Sequence, residues 1–385
     1  MVYTETKTTW YFSRIWNSIK GILFWIILII GSVILLWWNE GRTIDIAKWL
    51  SEWEKITVNG IVSPLDNSLD WKLIHISWEA TTDDILKDNT FFIEKNAIKL
   101  IREVEMYQWK ENSKTETRDN LWGSETKTTT YTYEKIWDDK KISSSSFKES
   151  WHENPNSWQY ESQTNTSNNV FIWDLKLSSP FVSQFNKKEQ ISLTEENYNV
   201  FKNANSNLNS KLLSGIIYIW NWNLSAPQIW DLKVTFYWVY PSIVSVIWKQ
   251  ENSSLNSYKT KTDTSINLFQ YLEVSKEEMY QKAKSDNKIM AWIIRWWGLL
   301  LMFIGFNMVF WIFVIIAKVI PFLSSIVWFW TGLISFFLTL IVWWWTIIIA
   351  WFFVRPLLSI SLIILIAIAI FWIIKLKKQN IQEKV

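Results

Sequence analysis

Four uncharged runs, one near the start of the chain and three crowded at its end, constrain it more than any other feature. Residues 21–38 (GILFWIILIIGSVILLWW) carry no charge between Lys20 and Asn39-Glu40. A helix needs about 20 mostly apolar residues to cross ~30 Å of hydrocarbon, so this run predicts a first span. The competing reading, a cleaved signal peptide, expects a shorter apolar core that ends in small residues, whereas this run ends in Trp37-Trp38. Residues 296–317 are uncharged and long enough for a second span. Residues 319–354 also lack charge, but as a helix they would reach about 54 Å, too long for one straight crossing. Pro321 and Ser324-Ser325 predict an interfacial lead-in over 319–326 and a third span over 327–354. Arg355-Pro356 predicts a reversal, since proline disfavours helix at the residue before it. Residues 356–374 make the fourth span, closed by Lys375, Lys377 and Lys378.

The predicted fold class is therefore an integral membrane protein with one N-terminal and three C-terminal transmembrane helices. A large β-rich α+β domain, residues 39–294, lies between the first and second. Lysines flank the last span more heavily than Arg355 does, and positive charge favours the cytoplasm. Residues 1–20 and the basic tail 375–385 are accordingly expected in the cytoplasm, with 39–294 extracytoplasmic.

Within the domain, residues 126–137 (TKTTTYTYEKIW) alternate small polar with aromatic residues, as a half-buried strand does. Residues 100–109 put Arg102, Val104 and Met106 on one face and Glu103, Glu105 and Tyr107 on the other. Residues 233–247 read as strand broken at Pro241, and 143–146 and 163–169 as surface loops. Thr43 is placed to cap a short entry helix through Ile46, Ala47 and Leu50. Ser275 and Glu278 form a capping-box pattern ahead of a helix running into the second span. The pentapeptide IWDLK occurs at 172–176 and 229–233, as an internal duplication or as a recurring turn that leads into a strand.

Composition narrows the chemistry. The chain has no cysteine and two histidines, so disulfides and thiolate chemistry are excluded and a multi-histidine metal centre is not expected. No Walker loop or GxGxxG appears, and a net charge of +3 is too small to argue for nucleic acid. His75, in an alternating segment, and His152, in a polar loop, have no nucleophile motif nearby, and each reads as a packed or solvated histidine rather than a catalytic one. No catalytic residue, cofactor or metal is expected. The candidate interaction residues are Asn39, Glu40, Arg42, Arg102, Glu105, Tyr107, Trp109 and Arg295. Among these, Glu40 and Arg295 sit at the same interfacial depth with opposite charges, placed either to pair or to meet headgroups.

Several segments together resemble one family. WNEGRT at 38–43, LIREVEMYQWKE at 100–111, EEMYQKAKSDN before the second span, WIIRWWG at its start, VIPFLSSIVWFWTGLISF at 319–336 and RPLL at 355–358 are similar, in order, to the LUMA (transmembrane protein 43) family. The resemblance implies four spans and a large non-cytosolic domain. Eukaryotic members occupy the endoplasmic reticulum and inner nuclear membrane, self-associate, and are linked to nuclear-envelope organisation with lamina and emerin partners. A Lys-, Asn- and Ile-rich composition points instead to an AT-rich bacterial gene, and so to a bacterial inner membrane. The expected function is a self-associating membrane scaffold that binds the bilayer, copies of itself and unidentified proteins. A channel or transport component, or a membrane-bound enzyme acting on lipid or envelope substrates, is the alternative.

One imbalance remains. There are 31 tryptophans and 9 glycines, although an ordinary glycine share of roughly 7% would give about 27. Trp343-Trp344-Trp345 piles indoles at mid-span, away from the interfacial belts they prefer, and Trp122 flanks a turn. Trp53, Trp78, Trp173, Trp230, Trp297, Trp328 and Trp330 stand where the resembling family carries glycine, whereas Trp109 and Trp292 match it as tryptophan. A gene that reads UGA as glycine, translated with UGA as tryptophan, gives this pattern. It would also place small residues at 328 and 332, the spacing that lets spans pack closely. A truly aromatic-rich membrane protein is the alternative.

Overall fold

The computed structural model describes residues 2–60, 66–259 and 265–354, together with Ser361, Ile364, Ile368 and Trp372. Its chain divides into two compact units. One holds residues 1–5, 53–115 and 128–281, the other 6–52, 116–127 and 282–385.

The first unit is built on two sheets. Strand β1 (Val2–Thr9) opens the chain and is followed by helix α1 (Tyr11–Ile56). Strand β2 (Leu73–Thr81) comes next, then a long hairpin of β3 (Lys99–Asp119) and β4 (Glu125–Asp138). Short strands β5 (Phe171–Ile172) and β6 (Leu175–Leu177) precede helix α2 (Glu195–Ala204). Further strands of the two sheets are β7 (Asn209–Leu213), β8 (Ile216–Trp220), β9 (Leu232–Val239), β10 (Ser242–Glu251), β11 (Ser254–Asn256) and β12 (Leu268–Tyr271).

The larger sheet has the order β1-β4-β3-β9-β8-β7. Alternate side chains of β3 point inward, so Leu100, Arg102, Val104 and Met106 are buried while their neighbours are half-buried, as the alternation predicts. Phe91, Tyr198 and Phe201 pack with Val104, Ile217, Val234 and Phe236 to close this core. Helix α2 begins with a capping box between Thr194 and Asn197.

The smaller sheet runs β12-β10-β11-β6-β5-β2, and β2 also pairs with β10. Strands β10, β11, β6, β5 and β2 therefore close into a ring, which leaves none of those five with a free edge. Ile74, Ile76, Val244, Val246 and Leu255 fill it with Trp248, which is 0% exposed and stacks on Phe181 at 3.8 Å. The break at Pro241 falls between β9 and β10 as the sequence predicts. Residues 163–166, read as loop, instead form a short strand on β3; a polar edge strand lacks the apolar alternation that would mark it. The two IWDLK copies lead into β6 and β9, which belong to different sheets, so the repeat is a recurring turn into a strand.

Both histidines lie in this unit, and burial lowers the pKa of each. His75 on β2 shares a 2.9 Å hydrogen bond with the Val274 carbonyl. Of the two readings left open for His152, the packed one holds. It is buried between the rings of Tyr133 (3.8 Å) and Trp151 (3.9 Å), where burial outweighs the pull of Glu149. A polar loop sequence does not reveal an aromatic stack assembled from distant residues. Folded values below the unfolded value of about 6.5 mean that the folded state binds fewer protons. Stability is then complete above that value and falls as pH drops below it. Thermal unfolding is expected to start earlier at pH 5 than at pH 7.5, and His152→Phe, which keeps a ring in the stack, should flatten the slope. An unchanged slope in that variant would remove His152 from the account.

Among the described residues, the second unit holds three helices long and apolar enough to cross a membrane: α1, α3 (Lys276–Ala317) and α4 (Pro321–Val354). The capping box forms as expected, with the Glu278 amide donating to Ser275 Oγ and the Ser275 amide to Glu278 Oε2. Thr43 caps nothing, however. Helix α1 runs straight through it, and its hydroxyl donates back to the Asn39 carbonyl at 2.7 Å. Pro321 begins α4, a position where its missing N–H costs nothing, and residues 321–326 belong to the same helix as 327–354 rather than to a separate lead-in. The fourth predicted span, 356–374, lies outside the described residues but for Ser361, Ile364, Ile368 and Trp372.

Helices α1 and α3 touch closely at two glycines. A Cβ at Gly298 would meet Leu36 Cδ2 at 2.6 Å, and one at Gly305 would meet Ile29 Cγ1 at 2.5 Å. Both pairs are spaced seven residues apart, two helical turns, so the contact recurs along one face of each helix.

Candidate functional site

At the end of the uncharged run of α1 the three helices converge on one carboxylate. Glu40 is 2% exposed. Arg295 of α3 grips it with two parallel bonds, Nε to Oε1 at 2.7 Å and Nη2 to Oε2 at 2.8 Å. Trp351 of α4 donates its indole N–H to Oε2 at 2.8 Å. This fork geometry is the strong form of a charge-assisted bond, and burial raises its Coulomb energy while making either charge costly alone. Around it, Asn39 Nδ2 donates to the Ala291 carbonyl at 3.1 Å and Asn287 Nδ2 to the Thr43 carbonyl at 2.9 Å. Two further polar bonds thus join α1 to α3 beside the ion pair. The Arg42 guanidinium lies 5.7 Å from the Trp38 ring. Its Nε and Nη2, with Asn39 Oδ1 and Asn287 Oδ1, are buried without a hydrogen-bond partner among the described residues.

Of the sequence candidates, Asn39, Glu40, Arg42 and Arg295 share this unit, and Glu40 and Arg295 pair. The other four belong to the first unit. Arg102 is fully engaged there: Nη1 donates to Asp88 Oδ2 at 2.6 Å, Nε to the Glu161 carbonyl and Nη2 to Gln163. It is a buried structural residue rather than a contact surface, because its strand face is the core face. Glu105, Tyr107 and Trp109 occupy the opposite, half-buried face. Tyr107 packs on Trp137 at 5.1 Å, Lys233 lies 4.1 Å over Trp137, and Lys135 lies 4.9 Å over Trp109. Trp137, Tyr218 and Lys233 also line a small pocket of about 170 Å³.

A second charged cluster goes beyond what the sequence predicts. The hairpin tip between β3 and β4 meets the opposite ends of the helices. Arg14 pairs with Asp119 and with Glu125, each at 3.0 Å, and donates to the Gly123 carbonyl at 2.7 Å. Lys318 pairs with Asp119 at 2.9 Å, and Tyr11 donates to the Ile316 carbonyl. Strand β1 accompanies the tip, Thr8 bonding Thr126 and Tyr3 packing on Tyr131. Asp119 and Glu125, which belong to the segment 39–294, lie against Arg14 near the start of α1. Charge alternation along two polar strands offers no signal of such distant partners. Because the chain has no cysteine of its own, Arg14→Cys with Glu125→Cys, in place of the side chains that pair at 3.0 Å, is expected to be bridged by a short bis-maleimide in native membranes, visible as a mobility shift absent from either single variant. No shift would separate the tip from α1.

Long apolar helices joined through buried charge and amide contacts, with a β-rich domain inserted after the first, define a multi-pass membrane protein. The family model for transmembrane protein 43 matches residues 106–356, about two thirds of the chain. The chain belongs to the transmembrane protein 43 family, as the motif resemblance implied. Rat and human transmembrane protein 43 are each 26% identical to it over 312 residues, covering 77% of this chain and 75% of theirs. A Drosophila homologue is 27% identical over 295 residues, 74% of each chain. No solved structure matches it.

Proposed function

We propose that the protein is a self-associating membrane scaffold of a bacterial inner membrane. Its helices are fixed to one another by the Glu40–Arg295 pair, and its β-rich domain binds partners. The observation that carries this reading is the sheet face bearing Tyr107, Trp109, Lys135, Trp137, Tyr218 and Lys233. Half-buried tryptophan and tyrosine are the residues enriched at interaction hot spots. A photocrosslinking side chain at Tyr107, activated in intact cells, is expected to yield adducts with protein, either a second copy or another chain. Adducts confined to lipid, or monomers alone, would overturn the scaffold.

A pore is the second reading, and the hairpin tip favours it. The tip holds Asp119 and Glu125 against Arg14 and Lys318, and Arg14 lies about 39 Å of helix from Glu40, at the other end of the uncharged run. Rings of charged side chains at a pore mouth set ion selectivity, and several copies together would supply such a ring. Purified protein in planar bilayers is then expected to conduct, with ion selectivity altered by Asp119→Lys. Silent bilayers would discard the pore.

A further inference from the structure

The backbone itself singles out particular tryptophans. Among the described residues, eight that are not glycine adopt positive φ, and four of them are tryptophan: Trp71 (69°), Trp122 (65°), Trp173 (55°) and Trp230 (87°). Tryptophan is 31 of 385 residues, about one in twelve, so half of these positions is a large excess. Left-handed backbone brings a side chain too close to its own carbonyl. For a bulky residue it is a true outlier, whereas glycine adopts it freely. Burial does not compensate the strain, because Trp71, Trp122, Trp173 and Trp230 are all exposed.

Each position is a turn of the kind glycine dominates. Trp173 is the first of the two residues joining β5 to β6, in a two-residue hairpin where positive φ at that place is characteristically glycine. Trp230 precedes β9, with the Asp231 carboxylate bonding the amides of Asn221 and Gln228. Both copies of IWDLK thus carry a left-handed tryptophan at the same place, and the repeat is one turn used twice. Trp122 stands beside Gly123, itself at φ 77°. Trp71 follows a short 3₁₀ turn and donates its amide to the Gln250 carbonyl at 2.8 Å. By contrast Trp248 fills the centre of the closed sheet, and Trp109 lies in a regular strand with its ring edge-on to His152 at 4.5 Å. Those two are tryptophan by the packing they make. Trp53, Trp78, Trp297, Trp328 and Trp330 lie in helix or strand, where conformation does not separate the two residues.

We propose that residues 71, 122, 173 and 230 are glycine in the protein made by the cell of origin. They would be encoded by UGA, which that cell reads as glycine, while 109 and 248 are UGG-encoded tryptophan. The first test is the gene: UGA at all four positions with UGG at 109 and 248 is expected, and UGG at any of the four overturns the assignment there. Peptide masses from protein isolated from its native cell decide the same point without the gene: the four peptides should each lack the mass of an indole side chain, and the peptide spanning 248 should not. A third readout is physical. Two chains made from synthetic genes, one as written and one with W71G, W122G, W173G and W230G, are compared by thermal unfolding in detergent. The glycine chain is expected to unfold at the higher temperature, and W248G to unfold at a lower one. A glycine chain that unfolds earlier than the chain as written would contradict the backbone argument.

Discussion

Glu40→Ala is expected to cost about 3–5 kcal/mol of stability, the usual loss when one member of a buried ion pair is removed. The cost does not come mainly from the missing attraction. Arg295 keeps its charge in a site with little water, and Trp351 loses the acceptor for its indole N–H. Glu40→Gln should be milder, since an amide oxygen can still accept one bond. Exchanging the two charges, Glu40→Arg with Arg295→Glu, should recover part of the loss of either reversal alone. Unfolding by SDS titration from mixed micelles measures all of these variants. If the exchanged protein is no better folded than the single reversals, the two residues act separately at the headgroups and do not hold the helices together.

The second large effect is expected at Arg102. Arg102→Met leaves Asp88 as an unpaired carboxylate buried in the domain core, its side chain 3% exposed. A loss again of about 3–5 kcal/mol follows. It should be accompanied by loosening of residues 161–163, whose carbonyl and carboxamide oxygens accept from the same guanidinium. Arg102→Met with Asp88→Asn removes both charges. The carboxamide oxygen so introduced can still accept from the amides of Thr90 and Phe91, as the Asp88 carboxylate does, and much of the stability should return. Thermal unfolding followed by tryptophan fluorescence separates the outcomes. A single variant as stable as the parent would mean that the pair contributes nothing at this site.

The two sites differ in how far the sequence announces them. Glu40 and Arg295 can be matched because each lies at the end of an uncharged run, and the hydrocarbon thickness fixes their depth whatever else the chain does. Alternation places Arg102 correctly on a strand face, but it says only that two faces differ, not which one meets the core. A charged residue among Val104 and Met106 reads as a surface contact when its partner, Asp88, lies in a different local segment. Length and charge make the spans legible, and β-branched alternation does the same for β4, β9 and β10. Closure of the smaller sheet is not legible, because it depends on β2 meeting β10, pairs such as Ile76 and Val246 that are 170 residues apart. Strand β1 escapes for the same reason, with no apolar pattern of its own to betray a partner.

That first strand also sets an order of events during synthesis. Residues 2–9 leave the ribosome well before residues 125–138, with which they pair. At 5–20 residues per second the wait is on the order of ten seconds. During that interval α1 emerges and its uncharged run is ready to enter the bilayer, while β1 remains an open edge with nothing to hold. The chain's opening residues must therefore be stationed on one side of the membrane before their partner strand exists. A bulky tag fused ahead of Val2 would bear on that early step, and its cost would appear in yield and assembly rather than in the melting of protein already folded.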